Sequence, residues 1–137
     1  MAGYSGRPLA QKLGINLGTT VVAINQPKNY RKLLGKSVAQ VAFSDRLSKD
    51  CDFIHLFATR RAELEKRLSI FRAKIADTGV LWVSWPKKSA GVLSDVTEDT
   101  IREVALPLGF VDVKVCAVDE TWSGLKLMVR RSERSSD

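Results

Sequence analysis

Two short stretches gather the side chains best suited to chemistry. Ser84-Trp85-Pro86-Lys87-Lys88 sets a hydroxyl, an indole and two amines side by side, and Asp119-Glu120-Thr121-Trp122-Ser123 sets two carboxylates beside another indole and two hydroxyls. Lys87 and Lys88, joined by Lys28 and Arg60, favour an anionic ligand, and Trp85 or Trp122 is able to stack on a planar group. The competing reading of those tryptophans is structural, because an indole at a strand end commonly caps a small core.

Asp119 and Glu120 have the composition of an acid/base pair, although neighbours in a strand point to opposite faces. A turn could bring them together for general acid/base work; the competing roles are a partner for Lys87 and a carboxylate that caps the turn. Ser84 and Lys87 have the spacing of acylating serine enzymes, whose serine opens a helix with the lysine one turn on. Pro86 after a strand spoils that geometry. His55, the one histidine, lies between Phe53 and Phe57 and reads as a hydrogen-bonded core residue. Without a second histidine or a well-placed serine, no triad assembles. Cys51 and Cys116 lack metal-site spacing and make no disulfide framework, so no metal is expected; no cofactor is expected either.

Periodicity supplies the elements that must position these residues. Pro8–Leu13 predicts a short helix ended by Gly14, Thr19–Ile24 a buried parallel strand, and Asn25-Gln26-Pro27 the start of a short helix with proline at its first position, ending at Leu34-Gly35. Strands follow at Val38–Phe43 and Phe53–Ala58. Thr59 is the expected cap of a helix over Arg60–Ala76, in which Leu64, Leu68, Phe71 and Ile75 form one apolar stripe. Asp77-Thr78-Gly79 reads as its end, and Val80–Trp85 as the next strand. Thr97 caps a further helix that stops at Pro107 and Gly109. Val111, Val113 and Val115 alternate with polar neighbours, as do Leu125, Leu127 and Val129, and the short link from Asp119 to Gly124 makes the two strands antiparallel. The pattern is α/β: a Rossmann-like, doubly wound, mostly parallel sheet of about six strands with an antiparallel C-terminal hairpin. In such sheets ligands bind outside the carboxyl ends of the strands, where both chemical stretches converge.

With 137 residues, the chain predicts a single domain over residues 8–131, with residues 1–7 and 132–137 as flexible termini. The net charge of +7 is uneven: the first acidic residue is Asp45, and before it stand Arg7, Lys12, Lys28, Arg31, Lys32 and Lys36. Shared on one face, they attract nucleic acid, phosphate or an acidic protein; dispersed, they keep the protein soluble. Arg60, Arg61, Lys66, Arg67, Arg72 and Lys74 add a basic helix face diluted by Glu63 and Glu65. No nucleic-acid-binding signature accompanies them, so such binding would rest on charge. No secretory signal or membrane span is read, and the cytoplasm is the expected compartment.

The order of elements resembles the class I methyltransferase-like Rossmann fold. The helix leading into Asp77-Thr78-Gly79-Val80-Leu81-Trp82-Val83-Ser84, and Leu108-Gly109-Phe110-Val111-Asp112-Val113-Lys114 with its hairpin, are similar to that superfamily's later elements. More closely, Leu81-Trp82-Val83-Ser84-Trp85-Pro86-Lys87 and Val118-Asp119-Glu120-Thr121-Trp122-Ser123-Gly124-Leu125-Lys126 resemble a small bacterial family of unknown function, over nearly the whole chain. Membership implies no known activity. Methyltransferases carry a glycine-rich loop after the first strand that lets the backbone approach S-adenosylmethionine; here the matching turn is Asn25-Gln26-Pro27-Lys28-Asn29, without glycine. Asp45 stands about where that superfamily places an acidic residue for ribose hydroxyls, and one strand–helix unit is missing between Asp45 and Asp52.

These observations lead to an expected function: a non-enzymatic binding or regulatory module, a shortened methyltransferase-like domain that recognises an anionic small molecule or protein partner at its carboxyl edge. Its ligand-binding residues would be Lys28, Arg60, Ser84, Trp85, Lys87, Lys88, Asp119, Glu120, Trp122 and Ser123. The alternatives are an enzyme using Lys87, Asp119 and Glu120, such as a divergent methyltransferase, and charge-driven nucleic-acid binding. The outer hairpin strand, an unpaired edge, offers a route to a dimer.

Overall fold

The apolar runs become one six-stranded sheet in the computed structural model, which describes residues 8–16, 18–35 and 41–135. In chain order the elements are α1 (Leu9–Leu13), β1 (Thr20–Ile24), α2 (Tyr30–Leu34), β2 (Ala42–Ser44), β3 (Cys51–Phe57), α3 (Arg61–Lys74), β4 (Ile75–Pro86), α4 (Glu98–Ala105), β5 (Phe110–Ala117) and β6 (Trp122–Val129). The strand order is β2-β1-β3-β4-β6-β5. β1 to β4 run parallel, and β6 lies antiparallel between β4 and β5. This is the predicted architecture, a mostly parallel sheet closed by an antiparallel hairpin.

A strand covered on both faces needs apolar side chains at successive positions, and β3 supplies them. Ile54 and Leu56 pack in the core beneath α3 and α4, with Leu64, Leu68, Phe71 and Ile101. Phe53 and Phe57 pack in the other core, with Leu9 and Leu13 of α1 and Tyr30 and Leu34 of α2. The two cores lie on opposite faces of the sheet, each covered by its own helices.

Local sequence signals hold where the polar partner is close in the chain. Thr97 caps α4 through its reciprocal hydrogen bonds with Thr100. They give way where the partner is distant. Thr59 is not the cap of α3; the helix follows an extended Arg60, and the Arg61 amide donates to the Asp95 carboxylate at 2.6 Å. One expectation is displaced locally: Pro27 precedes α2 instead of opening it, and its carbonyl accepts from the Tyr30 amide at 3.0 Å. Of the strand expected at Val38–Phe43, the observed β2 is Ala42–Ser44, and residues 38–40 lie outside the described ones.

The expected turn at Asp77-Thr78-Gly79 does not form. Chain direction changes at Ile75, and β4 runs without interruption to Pro86. Gly79 serves a close approach: a Cβ there would stand 2.7 Å from Ile75 Cγ1 and 2.8 Å from the Cys51 carbonyl oxygen, beside the irregularity in β3–β4 pairing. The tail is tied down as far as it is described. Residues 131–133 form a short helical turn, Arg134 donates to the Val129 carbonyl, and the Ser135 amide donates to Asp77.

Candidate functional site at the carboxyl edge

The β5–β6 hairpin turn closes over the end of β4 through contacts that occupy its polar groups. The Asp119 carboxylate accepts from the Thr121 and Trp122 amides at 2.8 and 2.7 Å. This is the turn-capping role, since a short side-chain carboxylate satisfies backbone donors two and three residues on. Lys87 donates its amine to the Asp119 carbonyl at 2.9 Å, and its amide to the Thr121 carbonyl at 2.8 Å. Lysine therefore meets the backbone of Asp119 and not its carboxylate. Glu120 is exposed at the tip, so the two carboxyls do not form an acid/base pair.

Beneath this turn lies a sealed polar chain. The Tyr30 hydroxyl is 2.8 Å from His55 Nδ1, and His55 Nε2 is 2.7 Å from the Ser84 hydroxyl. His55 and Ser84 have no exposed surface and Tyr30 is 3% exposed. Burial disfavours charge, and it holds His55 at a pKa of about 3 and pushes the Tyr30 phenol upward. The neutral imidazole donates through one nitrogen and accepts through the other. His55 is thus the hydrogen-bonded core histidine expected from its neighbours. The sequence showed no serine placed for it; the fold supplies Ser84, too deeply enclosed to meet a substrate. An aromatic layer surrounds the chain: His55 stacks on Phe57 at 4.3 Å, and Trp122 meets Phe57 edge-on at 5.0 Å.

At the other end of the edge, the ends of β1 and β2 border an open cleft of about 540 Å³. Gln26, Pro27, Lys28, Tyr30 and Arg31 form one wall, and Phe43, Ser44 and Asp45 the other. Arg31 lies over the Phe43 ring at 4.2 Å, a cation–π contact that joins the two walls. The glycine-free turn reaches this shape through Asn25, which takes a left-handed φ of 61° that asparagine tolerates better than most residues. A second cleft, of about 440 Å³, lies between Thr59, Arg60 and the loop carrying Leu93, Ser94 and Asp95. Among the described residues no group of three His, Cys, Asp or Glu side chains is placed to hold a metal ion, and no helix is long and apolar enough to cross a membrane.

The predicted residues do converge on one edge, but not on one pocket. Lys28 borders the first cleft and Arg60 the second; Lys88 is exposed in a short turn after β4. Ser84 and Trp85 are corrections, because β4 carries them inside: Ser84 is fully buried, and Trp85, 9% exposed, packs in the core under α4 with Val96 and Ile101. Trp122 and Ser123 are half-buried, with the indole against Phe57. Sequence reasoning missed Tyr30, Arg31 and Phe43 as cleft residues. They carry no spacing signal; Lys28 and the Asp45 position were what pointed to this end of the sheet.

No family model and no curated protein matches the sequence. Among solved structures, 65 chains match the fold. One, from Sulfolobus solfataricus and assigned to the type 11 methyltransferases, superposes with a TM-score of 0.66 at 15% identity, covering 93% of either chain. The ribosomal protein L11 methylase of Lactobacillus delbrueckii subsp. bulgaricus gives 0.58 at 9% identity, over 90% of this chain and 76% of that one. DhpI, solved in complex with SAH, gives 0.56 at 11% identity, over 90% and 83%. The chain shares with these proteins a methyltransferase-like Rossmann fold.

Proposed function

We propose that this chain is a ligand-binding domain whose β1–β2 cleft takes a ribonucleoside bearing an anionic group. The observation that carries this reading is the pairing of charges across the cleft: Lys28 and Arg31 on one wall, Asp45 on the other. A carboxylate just after a parallel strand is suited to the hydroxyls of a ribose, and the two cations to a phosphate or carboxylate. The chemistry of this donor set fits S-adenosylmethionine and its demethylated product, which carry both a ribose and a carboxylate, as well as it fits a nucleotide. Lys28, Arg31 and Asp45 would hold such a cofactor, and of the two only S-adenosylmethionine would supply an electrophilic methyl group.

Methyl transfer is the second reading, supported by neighbours such as the DhpI–SAH complex. Against it stands the β1–α2 turn, where Gln26, Pro27 and Lys28 occupy the place of glycines and limit close approach of a ligand to the backbone. The hairpin end offers little to catalysis, because Lys87 and Asp119 are engaged with the turn itself.

A thermal-shift titration with AMP, S-adenosylmethionine and S-adenosylhomocysteine tests both. A ligand at a hundred times its dissociation constant stabilises the fold by about 2.7 kcal/mol. The expected result is a rise in Tm with AMP that disappears in Asp45→Ala. A rise with the two adenosyl sulfur compounds and none with AMP makes methyl transfer the leading reading. No rise with any of the three overturns the assignment of the cleft.

A further inference from the structure

The sealed chain of Tyr30, His55 and Ser84 has no part in the ligand contacts described above, yet it reaches the cleft. Tyr30 does three things at once: it opens α2, borders the cleft, and supplies the hydroxyl at one end of the chain. α2 has five residues, and Asn29 at its start makes no side-chain capping bond. A helix that short has little stability of its own and is held by what it packs against. Packing alone would be met by phenylalanine at position 30, because Phe43, His55 and Phe57 surround the ring. The hydroxyl adds direction. A hydrogen bond of 2.8 Å to a ring that is itself fixed from its far side sets the depth and rotation of Tyr30, which apolar contact leaves loose.

The far side is fixed by the two stretches that stood out in the sequence. Ser84, in the first, holds His55 Nε2. Gly124, in the second, is its register partner on β6, and a Cβ there would come within 3.2 Å of the Trp82 ring and 3.5 Å of Ser84 Oγ. The tight approaches are to the Trp82 ring and, at 3.3 Å, to Val118, so glycine at 124 lets β6 lie close against β4 beside Ser84. Because Arg31 follows Tyr30 and crosses to Phe43, the setting of Tyr30 is also the setting of the cleft wall.

We propose that His55 and Ser84 are positioning residues for the β1–β2 cleft, acting through the Tyr30 hydroxyl to hold the start of α2 against the sheet. The part of this claim that concerns binding rests on the ligand reading above; the part that concerns α2 does not.

Ser84→Ala removes the far anchor without touching the cleft, and Tyr30→Phe cuts the near bond while keeping the ring, so the second serves if the first fails to fold. Both are compared with the unaltered protein by amide hydrogen exchange and by AMP titration. In each variant the amides of residues 30–34 should exchange about tenfold faster while those of α4 keep their rates, and AMP should bind about tenfold more weakly. Exchange that is unchanged in α2, or raised equally in α4, overturns the proposal and returns the chain to general core packing. Equal AMP affinity in all three proteins despite a loosened α2 also overturns it. If α2 loosens and AMP binds none of the three, positioning of the wall stands and the ligand reading falls.

Discussion

At the β4–β6 end of the carboxyl edge, the Ser84 hydroxyl, the Lys87 amine and the Asp119 carboxylate each have a partner within the protein. At the β1–β2 end, Lys28, Arg31 and Asp45 border an open cleft. The first end holds the two motifs whose spacing drew attention; at the second, Lys28 and Asp45 were singled out one by one, and Arg31 carried no such signal. Tight turns and buried polar chains demand particular side chains at particular spacings, since every enclosed donor needs an acceptor. A ligand cleft makes no such demand along the chain, because its walls come from separate elements. A dense local cluster of polar residues is therefore as much a mark of closure as of chemistry.

The largest test of this contrast is acid. Folded His55 has a pKa of about 3, against about 6.5 in an unfolded chain. Between those values the unfolded state binds a proton that the folded state does not. Stability is therefore complete above about pH 6.5 and falls as pH drops toward 3, by up to about 1.4 kcal/mol per pH unit. Urea midpoints from pH 7 to pH 4 should show that slope, and His55→Leu should flatten it. A slope shared equally by both proteins would mean that the β4–β6 end is not sealed.

A smaller loss is expected from Asp119→Ala, which leaves the Thr121 and Trp122 amides without their acceptor. Loss of hydrogen bonds to a charged group costs about 1.5–3 kcal/mol, read as a lower urea midpoint, with AMP affinity unchanged. Weakened AMP binding at full stability would place a ligand at the hairpin and reverse the comparison. The smallest effect belongs to the open end: Lys28→Ala with Arg31→Ala should alter stability by no more than about 1 kcal/mol, the worth of the exposed cation–π contact, and abolish the thermal shift with AMP. Strong destabilisation there would show that the cleft residues hold the fold.

Much of the fold was legible because its determinants are local. The stripe of Leu64, Leu68 and Phe71, the Thr97 cap and the alternation around Leu125 and Leu127 lead directly to α3, α4 and β6. The misreadings at the start of α3 and of β4 share one cause, a partner far away in the chain. Asp95 caps α3 across more than thirty residues, displacing Thr59. Ile75 continues the helical period yet opens β4, because pairing with Cys51 of β3 wins over local preference, and Gly79 marks that approach instead of a turn. In the site, His55 was legible as a core histidine from its apolar neighbours. Its partners, Tyr30 and Ser84, lie 25 and 29 residues away, and nothing along the chain joins them.

The sequence by itself determined the class of fold, the order of its elements and the edge of the sheet to which the polar residues come, since period, caps and turn residues act within a few positions. Tertiary structure decided which of those residues stay open to a ligand. Burial depends on strand order and on which face of the sheet each helix covers, and those put Ser84 and Trp85 inside while leaving Lys28, Arg31 and Asp45 around a cleft.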